Sequence, residues 1–332
     1  MLEHGGKLRD AALRYNIPLE KWLDLSTGIN PNGWLPENIS TDAWNRLPEA
    51  NDHLIEAAKK YYGCESLLAV AGSQAAIQAL PSLFSPQRNV GILNPTYAEH
   101  AHAWGKNGHN ITPLTPEDIE QKVDELDVLV IVNPNNPTGE IFSAQTLFSW
   151  HQKLVAKNGY LIVDEAFMDC TPEHSILQNI PLKNLIVLRS VGKFFGLAGI
   201  RVGFVAAQQN ILNKLNETLG PWTISGPSRE CAQQALNDKK WQTKNREYLN
   251  SASKRLASLL SENQLKPDGS TNLFSWVITP FANELHEQLA RAGIFTRLFS
   301  APSSLRFGLP ADEKQWQQLT SALENVMVRA TS

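Results

Sequence analysis

Cysteine is scarce in this chain. The 332 residues contain only Cys64, Cys170 and Cys231, far apart and without C-x-x-C or His-rich spacing. That spacing argues against a disulfide framework or a zinc site, so reduced structural thiols and no bound metal are expected. An excess of positive charge is missing too: 30 Lys and Arg stand against 33 Asp and Glu, a formal net charge of −3, which argues against nucleic-acid binding. No apolar run approaches the roughly 18 residues needed to cross a bilayer. The start Met1-Leu2-Glu3-His4-Gly5-Gly6 lacks the basic and apolar regions of a secretory signal, so a cytoplasmic protein is expected. Internal repeats, low-complexity tracts and long linkers are absent as well. The 42% hydrophobic content suffices for one large domain with a smaller companion, and the nine tryptophans are expected to serve packing.

What the chain does have is a series of short apolar runs separated by helical stretches. Strand candidates are 67–71, 89–93, 128–132, 160–163, 185–189 and 202–206. Alternation of this kind predicts an α/β fold with a mainly parallel sheet. Near Trp241 the pattern changes to a long polar helix running from Asn245 through Leu260, followed by short strands at 273–278 and 305–308. The expected division is a large domain over 38–238 and a small domain made of 1–37 and 239–332.

Three of the apolar runs end on residues with chemistry. The strand at 185–189 leads into Ser190-Val191-Gly192-Lys193-Phe194-Phe195-Gly196-Leu197-Ala198-Gly199-Ile200-Arg201, which sets one lysine among small residues. An isolated lysine after a strand is usually a solvated charge. An amine whose surroundings lower its pKa is instead a nucleophile toward an aldehyde, and a turn holding Ser190 and Arg201 could seat a phosphate beside it. That combination suggests pyridoxal phosphate. Its ring nitrogen stays protonated only against a buried carboxylate, which Asp164 can supply at the end of Leu161-Ile162-Val163. Its phenolic oxygen needs a neutral donor, and the amide of Asn136, between prolines in Asn133-Pro134-Asn135-Asn136-Pro137-Thr138-Gly139, suits that task. About 28 residues separate Asn136 from Asp164 and about 29 separate Asp164 from Lys193, which fits successive strand-and-helix units converging on one crevice.

These segments, in this order and over nearly the whole chain, resemble the fold-type-I pyridoxal-phosphate enzymes of the aminotransferase class. The resemblance implies a mainly parallel seven-stranded sheet with a smaller α+β domain, and pyridoxal 5'-phosphate as cofactor. It implies Lys193 as the Schiff-base lysine, Asp164 at the pyridine nitrogen, Asn136 at the phenolic oxygen, and Ser190 with Arg201 on the phosphate. Ala71-Gly72-Ser73-Gln74-Ala75 resembles the loop that opens a helix under that phosphate, with Ser73 and Gln74 as the contacts. Asn94-Pro95-Thr96-Tyr97 resembles the segment whose aromatic ring lies on the cofactor, although a core role for Tyr97 stays open.

Other stretches resemble a narrower group, the L-threonine-O-3-phosphate decarboxylases of cobalamin biosynthesis: His4-Gly5-Gly6, Trp22-Leu23-Asp24-Leu25-Ser26-Thr27-Gly28-Ile29-Asn30-Pro31, Pro95 to Trp104, Gly220 to Pro227 and Ser304 to Pro310. This implies decarboxylation of L-threonine O-3-phosphate to (R)-1-aminopropan-2-ol O-phosphate and carbon dioxide by a homodimer. A substrate with a carboxylate and a phosphate needs fixed cations, and arginine's planar fork binds such groups bidentately. By resemblance Arg306 holds the carboxylate, Arg297 and His4 gather the phosphate, and Gly5, Gly28 and Asn136 adjoin the substrate. An exposed strand-end charge at Arg297 and a frayed terminus at His4 are the other readings.

The chain departs from the wider class in places. Phe167 replaces a tyrosine that gives the phenolic oxygen a second hydrogen bond, Leu47 replaces a tyrosine that reaches the partner subunit's phosphate, and Gly28 replaces an asparagine near the substrate. The bond at the substrate α-carbon that stands perpendicular to the cofactor ring is the one that breaks. An aminotransferase acting on histidinol phosphate or a related phosphorylated amino acid therefore differs from a decarboxylase by a rotation of the substrate and remains the alternative. A nucleotide-binding reading fails on glycine spacing, since Gly196-Leu197-Ala198-Gly199 matches neither a dinucleotide nor a P-loop motif.

Overall fold

In the computed structural model, which describes residues 5–177 and 183–331, the apolar runs become strands of one large sheet. The chain divides into two compact units, Gly33–Asn136 with Ile141–Lys244, and Met1–Asn32 with Pro137–Glu140 and Asn245–Ser332. The second boundary falls within the helix Lys239–Glu262.

The larger unit holds a seven-stranded sheet in the order Leu67–Val70, Gly203–Ala206, Leu185–Ser190, Tyr160–Asp164, Val128–Val132, Asn89–Leu93, Asn110–Leu114. Gly203–Ala206 pairs antiparallel with both neighbours, while the remaining neighbours pair parallel. The central strands are buried along their whole length: Val128–Val132 and Leu185–Ser190 have no exposed position. A strand covered on both faces reads as a continuous apolar run rather than an alternating one, which is the pattern the sequence carries here. One strand escaped that pattern. Asn110–Leu114 carries Pro113 and only one buried residue, because it lies at the sheet edge, where a missing N–H breaks no inner ladder. Leu80, Trp104, Val130, Leu188 and Leu215 pack in the core between strands and helices.

The parallel arrangement brings polar residues to one edge. Register pairs Val132 with Asp164, Asp164 with Leu188, and Gly203 with both Ser190 and Val70. The residues that follow Leu93, Val132, Asp164 and Ser190, and those that precede the antiparallel Gly203, therefore leave the sheet on the same side. This edge carries Asp164, Ser190 and the loops that bear Tyr97, Asn136, Lys193 and Arg201.

The smaller unit is built on a four-stranded antiparallel sheet ordered Arg297–Ser300, Ser303–Gly308, Phe274–Ile278, Gly269–Thr271, with a short parallel pair, Leu23–Asp24 and Ile294–Phe295. Helices Leu8–Tyr15, Ala282–Arg291 and Glu313–Thr331 belong to it. Trp22, Ala11 and Ala290 form a small cluster under the first of these helices, with Trp22 edge-on to Phe295.

Candidate active site

Asp164 is the best-defined group at the sheet edge of the larger unit. It is 3% exposed, its Oδ1 accepts from the Ala166 backbone N–H at 3.0 Å, and its Oδ2 lies 3.0 Å from Nε2 of buried His100. Both oxygens are fixed by protein groups, and burial favours a cationic partner. His100 sits in the helix Glu99–Lys106, three residues after Tyr97, with the two rings edge to face at 6.2 Å. The sequence reading missed His100. Its only local signal is the i,i+3 spacing from Tyr97, and the link to Asp164 spans 64 residues.

Lys193 lies in the turn after Leu185–Ser190, and its backbone carbonyl accepts from Gly196. Its amine stands 5.4 Å from the centroid of the Phe167 ring, a cation–π distance, and Phe167 is buried. The turn is anchored by Phe194 and Phe195, both fully buried, with Phe195 stacked on Trp241 at 5.7 Å and 13°. Asn136 follows a clasped loop in which the Asn133 side chain bonds the Phe142 backbone in both directions, at 2.9 and 3.1 Å. Next to it, Asn135 accepts from the Thr96 hydroxyl and donates to the Pro95 carbonyl, which ties this loop to the segment bearing Tyr97.

Ser73 and Gln74 open the helix Ser73–Ala79. Before it, Gly72 adopts φ +72°, a backbone conformation that favours glycine, and the Arg201 guanidinium packs against it, with Nη2 2.6 Å from where a Cβ would stand. Arg201 itself takes φ +54° and donates to the Ala198 carbonyl at 3.0 Å. Ser190 Oγ accepts from Gly192 N–H at 3.2 Å. The Gln74 side chain serves the protein at both ends, since its Oε1 accepts from the Tyr97 hydroxyl at 3.1 Å and its Nε2 donates to Glu99 at 2.8 Å. Gln78 donates to the same carboxylate at 2.7 Å. Burial pushes the Tyr97 hydroxyl up to about 12, helped by the Glu99 and Asp164 charges and opposed by Arg201, so Tyr97 stays neutral.

These groups suit pyridoxal 5'-phosphate on their donor chemistry. Arg201, the hydroxyls of Ser73 and Ser190 and the first-turn N–H groups match a phosphate dianion. A buried, pre-fixed carboxylate matches a ring N–H⁺, and an amine beside an aromatic floor matches an aldehyde.

In the smaller unit, the antiparallel register sets Arg297 directly opposite Arg306. Like charges facing across a ladder are unfavourable unless an anion joins them. Arg306 is 6% exposed, its guanidinium lies 5.0 Å from the Phe274 ring centroid, and its Nη2 donates to the Ser26 carbonyl at 2.9 Å. Burial lowers its pKa to about 10, with Arg297 adding to the fall and Asp24 opposing it. Arg297 shares a cleft of about 440 Å³ with Gly5, Lys7, Ser26 and His286. Gly28 is buried in the same loop as Ser26. His4 lies outside the described residues. The structure thus brings together Gly5, Arg297 and Arg306 around Ser26, a residue the sequence reading passed over. Among the described residues, no group of His, Cys, Asp or Glu is arranged to hold a metal, and no helix is long and apolar enough to cross a membrane.

The sequence pattern of the aminotransferase class I and II family matches residues 20–323, and the chain belongs to that family. Within it, the chain is 53% identical over 323 residues to the threonine-phosphate decarboxylase of Pseudomonas aeruginosa strain PAO1, covering 97% of each. It is 38% identical over 329 residues to the threonine-phosphate decarboxylase of a Sinorhizobium species, covering 96% of this chain and 97% of that one. Its fold matches the crystal structure of a Sinorhizobium meliloti histidinol-phosphate aminotransferase in complex with pyridoxal-5'-phosphate, with a TM-score of 0.87 at 18% identity, over 100% of this chain and 96% of the other.

Proposed function

We propose that this chain is a pyridoxal-phosphate-dependent lyase that decarboxylates L-threonine O-3-phosphate to (R)-1-aminopropan-2-ol O-phosphate, serving cobalamin biosynthesis. The observation that carries this is the 53% identity, over almost the full length of both chains, to a threonine-phosphate decarboxylase. When bound, pyridoxal phosphate supplies an aldehyde that captures the substrate amine and a ring that takes up the electrons of the breaking bond.

The chain's own residues have separate tasks in this reading. Asp164, its oxygens fixed by Ala166 N–H and His100, would face the ring nitrogen. Ser73, Ser190 and Arg201 hold the cofactor phosphate, Asn136 donates to the phenolic oxygen, and Tyr97 and Phe167 bound the ring. Gln74 acts through its backbone and by orienting Tyr97, because its side-chain amide is engaged with Tyr97 and Glu99. Lys193 would hold the cofactor aldehyde through its amine and serve as the proton carrier at the substrate. Arg306 binds the substrate carboxylate, Arg297 and His4 the phosphate, with Gly5 and Gly28 leaving room for backbone approach.

The test is to incubate holoenzyme with L-threonine O-3-phosphate and follow carbon dioxide release and oxo-acid-dependent amino transfer together. Carbon dioxide without any need for an oxo-acid is the expected result. Robust amino transfer from histidinol phosphate with no turnover of threonine phosphate would sink it.

A homodimer in the cytoplasm belongs to the same reading. Leu35, Trp44, Leu47 and Trp222 of the larger unit are each more than 60% exposed. Trp44 and Trp222 flank a contact so close that a Cβ on Gly226 would fall 2.2 Å from the Ala43 carbonyl oxygen. Exposed apolar side chains of this size suit a second copy of the chain. Sedimentation velocity is expected to give a dimer mass that Trp44→Glu shifts toward the monomer; a parent protein sedimenting as a monomer overturns the reading.

A further inference from the structure

We infer that Ser26 is a positioning residue for substrate binding, fastening the Gly5–Gly6 segment and the Arg306 guanidinium into one arrangement, with Asp24 setting its hydroxyl. The inference rests on the reading above, in which Arg306 and Arg297 take the two anionic groups of the substrate.

Every polar atom of Ser26 is committed. Its backbone N–H and its hydroxyl both donate to Asp24 Oδ1, at 2.9 and 2.6 Å. With the hydroxyl proton given to Asp24, an Oγ lone pair accepts the Gly6 N–H at 2.8 Å. The carbonyl accepts from Arg306 Nη2 at 2.9 Å. Gly5 leans on that same carbonyl so closely that a Cβ would lie 2.3 Å from the oxygen. One 1%-exposed serine therefore joins the N-terminal segment to Arg306, which lies 280 residues beyond that serine in the chain, and it lines the cleft that contains Arg297.

The loop does not depend on the hydroxyl for its own shape. Leu25 N–H donates to the Phe295 carbonyl and Gly308 N–H donates to the Leu25 carbonyl, both at 2.8 Å. These backbone bonds survive a change of side chain at Ser26. What Ser26→Ala removes is the hydroxyl link between Asp24 and Gly6, so the Gly5–Gly6 segment loses its fixed position over the anion cleft.

The experiment measures KM and kcat of the holoenzyme for L-threonine O-3-phosphate, and titrates the holoenzyme with inorganic phosphate by calorimetry. Two hydrogen bonds are at stake. Ser26→Ala is expected to raise KM about tenfold with kcat within about twofold of the parent, to weaken phosphate binding in step, and to leave the cofactor absorbance unchanged. Ser26→Thr, which keeps the hydroxyl, restores both constants. Unchanged KM and phosphate affinity in Ser26→Ala overturn the inference. So does a loss confined to kcat with an altered cofactor spectrum, or a failure of Ser26→Thr to restore binding, since either marks a general structural defect. The phosphate titration needs no turnover. A parent protein that binds phosphate in a Ser26-dependent way yet releases no carbon dioxide keeps this inference and removes the decarboxylase reading.

Discussion

Replacing Lys193 with alanine is expected to abolish covalent attachment of the cofactor to the chain and to lower decarboxylation by at least about a thousandfold. The amine has two tasks in the proposed reaction, tether and proton carrier, and alanine removes both at once. The turn that carries it should survive the change. Phe194 and Phe195 on its far side are fully buried and packed on Trp241, and the Gly196 N–H bonds the backbone of residue 193 rather than its side chain. Lys193→Ala should therefore melt within about 1 kcal/mol of the parent, and the loss of activity is then chemical. Borohydride reduction followed by mass measurement checks it: the parent gains one cofactor on a peptide containing Lys193 and the variant gains none. A tethered cofactor persisting in Lys193→Ala would show that another amine does this work.

The α/β class was legible because strands buried on both faces appear as unbroken apolar runs, as in Val128–Val132. The polar residues at the ends of those runs were legible for the same reason: a run must stop where the sheet stops, so Asp164, Ser190 and the Asn133 loop announce an edge. The edge strand Asn110–Leu114 was not, since Pro113 reads as a breaker wherever its missing N–H is not known to face outward. Partners brought together only by tertiary structure were invisible in principle. His100 bonds Asp164 across 64 residues and Arg306 bonds Ser26 across 280, and nothing in the local pattern of either residue declares the other. Arg189 shows the same limit in a different form. In sequence it is one charged residue ending an apolar strand; in the fold it is a buried cation holding two buried carboxylates.

Arg189→Met is expected to destabilise the fold by about 3–5 kcal/mol, and by more at pH 8 than at pH 5. The guanidinium is 1% exposed, lies 4.6 Å from the Tyr62 ring centroid, and bonds Glu165 Oε2 at 2.6 Å, Ser175 Oγ at 3.3 Å and Asp169 Oδ1. Glu165 also accepts from Ser175 Oγ at 2.6 Å and from Ile176 N–H at 2.9 Å. Burial raises the Glu165 pKa even with Arg189 in place, and burial disfavours the Arg189 charge while Asp169 and Glu165 more than restore it. Methionine fills much of the space and removes the cation, leaving two carboxylates in a fully buried site. Their folded-state pKa values then rise above the unfolded values of about 4. Between those values the folded state binds more protons than the unfolded one, so stability falls as pH rises through the window, and the deficit relative to the parent widens toward pH 8. Adding Glu165→Gln and Asp169→Asn should recover part of the loss, because no bare charge then remains. Urea denaturation at the two pH values reads all of this, and a deficit under about 1 kcal/mol or one indifferent to pH would contradict it. The functional consequence follows from chain position: Glu165 and Arg189 are the immediate neighbours of Asp164 and Ser190. An ion pair between them fixes the separation of two adjacent strand ends, and with it the spacing of the groups proposed for the ring nitrogen and the phosphate of one rigid cofactor.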